Sequence, residues 1–353
     1  MSTLRSVFRS YGGSIAFTIA ALACAFWIGY GPGGLGGGLA ALFTALMLGA
    51  LETSLSFDNA VVNARILEGM NQFWRRMFLT VGMLIAVFGM RIVFPLLIVW
   101  AVSDNSALTV IQMTWKNPGE FQKILVDQHI LIAGFGGAFL WMVFTKFFLD
   151  EEKELHWISW IEKPLAKAGR VESVWVVTTL ALVFGLYRFV PHGQGLSFVV
   201  AAVAGVFVFL IVEAINSILE SKEPGEGSHG GPSKASSGFA AFLYLEILDA
   251  SFSFDGVIGA FAVTSNLFLI ALGLGIGAMF VRSITIHLVE AGTLSKYKYL
   301  EHGAFWAIGA LAIILFAGAL GAHIPEVVSG GVGIALIGLS FWSSVRSGEP
   351  DGN

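Results

Sequence analysis

Ten apolar stretches mark the chain, at roughly 14–31, 38–63, 77–101, 129–149, 174–190, 196–219, 239–264, 267–290, 303–321 and 327–344. A hydrocarbon core of ~30 Å is crossed by about 20 helical residues, so the pattern predicts an all-α polytopic transmembrane bundle. About ten helices are expected, eight to ten, because the first, fifth and tenth stretches are short. Glycine-rich GYGPGGLGGG at 29–38 separates the first helix from the second. Two polar connections break the pattern further on. Residues 150–173 alternate in charge and place Trp157, Trp160 and Ile161 at spacings suited to a helix on the membrane surface. Residues 220–238, rich in Pro, Gly and Ser, read as a flexible linker.

Inside this apolar background one phrase occurs twice: LETSLSFDNAVV at 51–62 and LDASFSFDGVIGA at 248–260. Without a gap, Glu52 aligns with Asp249, Ser54 with Ser251, Ser56 with Ser253, Phe57 with Phe254 and Asp58 with Asp255. The following helices align too, Gly82 and Arg91 matching Gly273 and Arg282, with a weaker echo between Gly137-Ala138-Phe139 and Gly303-Ala304-Phe305. The unit is three helices, used twice. The chain therefore divides into a first helix with its glycine connection (1–37), repeat 1 (38–149) and a linking region with two helices (150–238). Repeat 2 (239–321) and a last helix with its tail (322–353) follow.

Lys and Arg distribution orients the helices. With a cytoplasmic N-terminus, Arg5, Arg9, Arg65, Arg75, Arg76, Lys146, Lys153, Lys163, Lys167, Arg170, Lys222, Lys234, Lys296, Lys298 and Arg346 all fall inside. Lys116, Lys123 and Arg188 fall outside, and Arg91 and Arg282 within helices. Both termini are expected in the cytoplasm, and the two repeats then run in opposite directions. That is a plan shared by many secondary transporters, whose sites lie where the repeats meet. Composition agrees with the membrane reading: 56% hydrophobic, 12% charged, mean hydropathy +0.78, against about 25% charged in soluble domains. The lone Cys24 rules out an intrachain disulfide and a thiolate metal site.

Acidic residues at membrane depth are costly and mark ion or substrate paths. Six residues apart, Glu52 and Asp58 point about 120° away from each other on an undisturbed helix. Ligand pairs are therefore expected between repeats: Glu52 and Asp249 centrally, Asp58 and Asp255 towards opposite faces, with Glu246 on the inner side. Asn59 and the hydroxyls of Ser54, Ser56, Ser251 and Ser253 complete a hard, oxygen-rich set suited to Mg²⁺, Ca²⁺ or Mn²⁺. Carboxylates also suit protons as coupling ions. Arg91 and Arg282 are expected to pair with the acids when the site is empty, two arginines against at least four acids. Glu213 and Asn216 are weaker candidates for an inner vestibule, and His129, Arg188 and His192 read as interfacial. The chain carries no nucleotide-binding loop, nucleophile elbow or HExxH. No enzyme activity, cofactor or nucleic-acid partner is expected.

ETSLSFDNAVVNARIL, RMFLTVGMLIAVFGMRIVFPLLIVW and YLEILDASFSFDGVIGAFAVTSN resemble the TerC family of bacterial membrane proteins, and more closely a branch known only as a domain of unknown function. The likeness spans roughly 40–345. It implies kinship with the LysE-type exporters, a bacterial cytoplasmic (inner) membrane location and metal homeostasis, with Mn²⁺ efflux the leading activity and tellurium resistance behind the family name. The family's acidic motif falls on Asp58 with Asn59 and on Asp255. Two other readings stand beside Mn²⁺ export: a stress-resistance scaffold that recruits soluble partners, and a metalloid or anion transporter. Membrane lipid is an expected partner, and homo-oligomerisation is left open.

Overall fold

The computed structural model describes residues 2–170, 173–191, 193–220, 238–292 and 296–347, except the side chains of 2–10, 219, 220, 254, 255 and 326. Most of the 220–238 linker, His192 and the Asp255 side chain fall outside the described residues. What is described is all-α. The helices are α1 (Ser2–Leu55), α2 (Phe57–Gly69), α3 (Gln72–Val102), α4 (Ala107–Lys116), α5 (Pro118–Asp127) and α6 (His129–Phe148). They continue as α7 (Ser159–Ala168), α8 (Val174–Leu186), α9 (Gly195–Glu220), α10 (Gly238–Val263), α11 (Leu267–Glu290), α12 (Leu300–Ala319) and α13 (Glu326–Arg346). Among the described residues, seven are long and apolar enough to cross a membrane. The protein is a multi-pass membrane protein.

α1 counts twice as a span, because it folds back on itself. At Gly34 the backbone takes φ 57°, ψ −149°, a conformation open essentially to glycine alone. The limbs then run side by side: a Cβ on Gly38 would sit 2.7 Å from the Phe26 ring, and Ala25, Ala41 and Ala45 share one small core. The second limb continues into α2 through Ser56 (φ −98°, ψ 23°), a break between Glu52 and Asp58. α10, its counterpart in repeat 2, passes Gly256 unbroken. Within α3, residues Phe78–Gly82 and Ile85–Val93 are wound as wide π-helical turns, a distortion often found at functional sites.

The helices of the two repeats pack reciprocally. The second limb of α1 lies on α11: Gly273 would bring a Cβ to 2.7 Å from Leu48 and Gly49 one to 2.9 Å from Ile276, while Gly277 abuts Glu52. Sequence numbers rise together, so these helices are parallel. α3 lies likewise parallel on α10, with Trp74 against Gly238 and Gly82 against Glu246. α6 and α12 are antiparallel, Gly137 meeting Phe316 and Gly309 meeting Phe144. First on second, second on first and third on third is the pairing a two-fold axis makes. Parallel first–second pairs place that axis in the membrane plane, and the repeats are inverted. The alignment of Glu52 with Asp249 and Gly82 with Gly273 turns the Gly82–Glu246 contact into Gly273–Gly49, which is also present. For the third helices, the contacts equate Gly137 with Gly309 and Phe144 with Phe316. The Gly-Ala-Phe echo at 303–305 is therefore out of register, a product of composition.

Within the amphipathic stretch at 150–173, Ser159–Ala168 forms the short α7, and its Glu162 turns inward. Glu162 accepts from the Trp157 and Ile158 amides (3.0 and 3.1 Å) and from Trp306 Nε1 (3.1 Å). Trp160 stays on the surface, 80% exposed. α7 is thereby tied to α12.

Candidate functional site

Where the repeats meet, a small space of about 20 Å³ is lined by Glu52, Ser56, Asn59 and Asn63 from one half and Asp249, Ser253, Arg282 and Thr285 from the other, with Arg91 beside Glu52. About 10–15 Å³ suffices for one water-sized species. The first-half residues follow from helical geometry: steps of four, three and four from Glu52 to Asn63 keep one face throughout. Glu52 Oε1 accepts from Arg91 Nη2 at 2.6 Å and from Ser56 Oγ at 3.2 Å. A Cβ on Gly256 would come to 3.0 Å from Glu52 Oε2, so glycine at that position leaves room for the carboxylate. On the opposite wall Asp249 Oδ1 accepts from Asn63 Nδ2 at 2.9 Å. Arg91, only 1% exposed, also donates Nη1 to the Ala86 carbonyl within the π-helical turn. Arg282 donates Nε to the Leu79 carbonyl at 2.8 Å. Among the described residues it joins no ion pair.

Three side-chain atoms of the lining are left over, the Arg91 Nε donor and two acceptors. The side-chain oxygens of Asn59 and Asn63 are buried without a hydrogen-bond partner. A buried amide oxygen left unpaired costs about 1–3 kcal/mol, and in a carboxylate-lined void such an oxygen is suited to a cation. Among the described residues that line this space, the formal charges of Glu52 and Asp249 balance those of Arg91 and Arg282. A cation therefore gains a net-negative site only when an arginine withdraws.

A profile described as a protein of unknown function, DUF475, matches residues 57–350. The chain belongs to the DUF475 family. No curated protein and no solved structure matches it.

Several expected ligands of the DUF475 chain stand elsewhere. Asp58 faces α13, where a Cβ on Gly333 would come to 2.9 Å from its Oδ2, because the 120° offset from Glu52 carries it off the cavity face. Ser54 is exposed and bonds back to the Ala50 carbonyl. Ser251 bonds to the Ile247 carbonyl and lines a separate cavity. Glu246 lies against Gly82 with Oε1 unpartnered, outside the central space. Glu213 pairs with Lys146 and does not line the cavity. Among the described residues no three His, Cys, Asp or Glu side chains cluster as a metal site. Asn63 was missed at sequence level. Its signal was the spacing: four residues after Asn59, it continues the face that begins at Glu52.

Proposed function

We propose that the protein carries a hard divalent cation, Mn²⁺ first, out across a bacterial cytoplasmic membrane by alternating access of its inverted repeats, with protons as the coupling ion. The observation that carries this reading is the water-sized cavity in which carboxylates from both repeats stand beside two unpartnered amide oxygens. Carboxylate, amide and hydroxyl oxygens make a hard donor set without imidazole or thiolate. The volume suits a single dehydrated ion better than a multi-atom oxyanion, which weighs against the metalloid reading. Arg91 acts as the resident counter-cation of Glu52, and an incoming ion takes its place. At the end where the basic residues gather, Arg65 of α2 pairs with Glu301 of α12 at 2.7 Å and holds the halves together. Export works against an inside-negative potential of about 2.3 kcal/mol per charge per 100 mV, which proton entry offsets.

The test is Mn²⁺ flux in proteoliposomes under an imposed proton gradient. Glu52→Gln and Asp249→Asn should each lower flux at least tenfold, with folding checked by elution profile. Wild-type flux in both variants would overturn the proposal. A scaffold would lose its stress phenotype on deletion of the 150–173 or 220–238 segments while the acidic-site variants kept it.

A further inference from the structure

A second cavity, of about 740 Å³, lies beside the first on the other face of α10. Its walls come from both repeats: Phe94 and Ile98 of α3, Ala133 and Gly136 of α6, Ile258 of α10 and Leu315 of α12. These are apolar. Among the described residues, polar groups are confined to two places. Gln128, His129 and His323 stand where α6 begins and just past the end of α12, and Ser251 stands deep inside on α10. From His129 to Gly136 the cavity follows α6 for seven residues, ~10 Å along the axis.

A void of this size does not stay empty, since protein interiors are packed as densely as organic crystals. Nor is water its natural filling, because a buried water needs about two to four polar partners. The size and the mainly apolar lining with few polar groups are those of a site for an amphipathic organic ligand. Within a membrane-spanning bundle, the long apolar molecule present at highest concentration is lipid. The rim supplies hydrogen-bonding groups only at helix ends, where a headgroup sits. His129 Nδ1 is engaged with the Val126 carbonyl at 3.0 Å, leaving Nε2 to face a ligand.

We infer that this cavity is an acyl-chain site: one chain of a membrane phospholipid enters it, with the headgroup at Gln128, His129 and His323 and the chain running toward Ser251. The chain then packs against the back of the helix whose front carries Asp249 and Ser253. Lipid occupancy thereby fixes the position of α10 relative to α6 and α12. The inference stands apart from the ion reading, because an ion path needs polar walls and the walls described here are mainly apolar.

Gly318 of α12 gives a clean probe. It lines the cavity, and a Cβ there would meet nothing within 4 Å, so a larger side chain enters open space. Purified protein is stripped of lipid in dodecyl maltoside, exposed to palmitoyl-oleoyl phosphatidylglycerol and examined by native mass spectrometry. Wild type, Gly318→Ala and the remote Gly185→Phe should keep a tightly held phospholipid. Gly318→Phe should lose it at least tenfold while eluting as wild type does. Equal retention by Gly318→Phe, or none by wild type, would overturn the inference. A second measurement covers a variant that fails to fold. In a Cys24→Ala background in vesicles, Gly136→Cys should react with a lipid-soluble maleimide and resist a charged, membrane-impermeant one. Fast reaction with the charged reagent would make the cavity a water-filled vestibule and refute the acyl-chain site.

Discussion

The ion pair between Arg91 and Glu52 makes the sharpest quantitative demand on the structure. Its atoms lie 2.6 Å apart with side chains only 2% and 6% exposed. At an effective dielectric near 20, charges that close attract by about 6 kcal/mol, and the cost of desolvating both ions cancels much of this. Removing one partner is another matter, since the other stays buried and uncompensated at a cost of about 3–5 kcal/mol. Arg91→Met should therefore destabilise the protein by that amount, leaving Glu52 only the Ser56 hydroxyl. A large chain loses about 2 °C of Tm per kcal/mol, so a fall of order 5–10 °C is expected in detergent at a fixed scan rate. Glu52→Leu should cost about as much by stranding Arg91. The double variant should recover most of the loss, because an apolar pair of similar volume replaces a buried ion pair with little penalty. The measurement is the double-mutant cycle, with an expected coupling of at least about 2 kcal/mol. Single-variant losses that add within about 0.5 kcal/mol would mean independent sites, and the picture of Arg91 as counter-ion would be wrong.

Other perturbations have equally definite outcomes. Gly277→Leu drives a side chain into Glu52 where α1 crosses α11; it should cost more than about 3 kcal/mol or abolish folding, seen as loss of the monodisperse elution peak. Asn63→Leu removes the donor to Asp249. Mn²⁺ affinity by isothermal titration should fall at least tenfold, with Tm lowered by only a few degrees. Lys153, above the rings of Phe147 and Phe148, is lowered to about 8 by burial, against the opposing pull of Glu162, Glu301 and Asp150. From pH 8 to the ordinary lysine value of 10.5 the unfolded chain holds the extra proton, so this group makes stability rise with pH across that window. Below about pH 8 its penalty is constant. Lys153→Met should flatten Tm between pH 8 and 10; an unchanged slope would remove Lys153 as the source.

Much of the fold is legible in the chain because a bilayer enforces it. Backbone groups in hydrocarbon must bond internally, so each long apolar stretch becomes a helix, and the phrase SLSFD at 54–58, returning as SFSFD at 251–255, marks where the two halves correspond. The central acids are legible for the same reason, a carboxylate standing out in an otherwise apolar stretch. What stays hidden depends on angle. Asp58 reads like Glu52 in one dimension, yet a helix turns it onto Gly333. Asn63 reads as ordinary polar background until its place on the Glu52 face is counted out. Nor does the string of letters show the π-helical turns that aim Arg91 at Glu52, because Ile85–Val93 has the composition of any apolar helix.

The inverted repeat carries one further consequence, since the two halves are not in the same state. Arg91 is bound to Glu52, while its counterpart Arg282 is bound to a backbone carbonyl and Asp249 to Asn63. Under the proposed alternating access, the two-fold operation would give a second arrangement, with Arg282 on Asp249, Glu52 released and the Arg65–Glu301 end opened. If the Arg91 lock is worth about 3 kcal/mol of difference between the two arrangements, its loss brings a state populated near 1:99 close to parity, since moving from 1:99 to 99:1 takes about 5.5 kcal/mol. Nitroxide labels at residues 68 and 298, next to the Arg65–Glu301 pair, report on that end. Pulsed dipolar spectroscopy should show one dominant distance in the parent protein and two comparable ones in Arg91→Met, with Arg282→Met sharpening the first. A single unshifted distribution in both variants would mean that the arginines hold the halves together without setting which way they tilt.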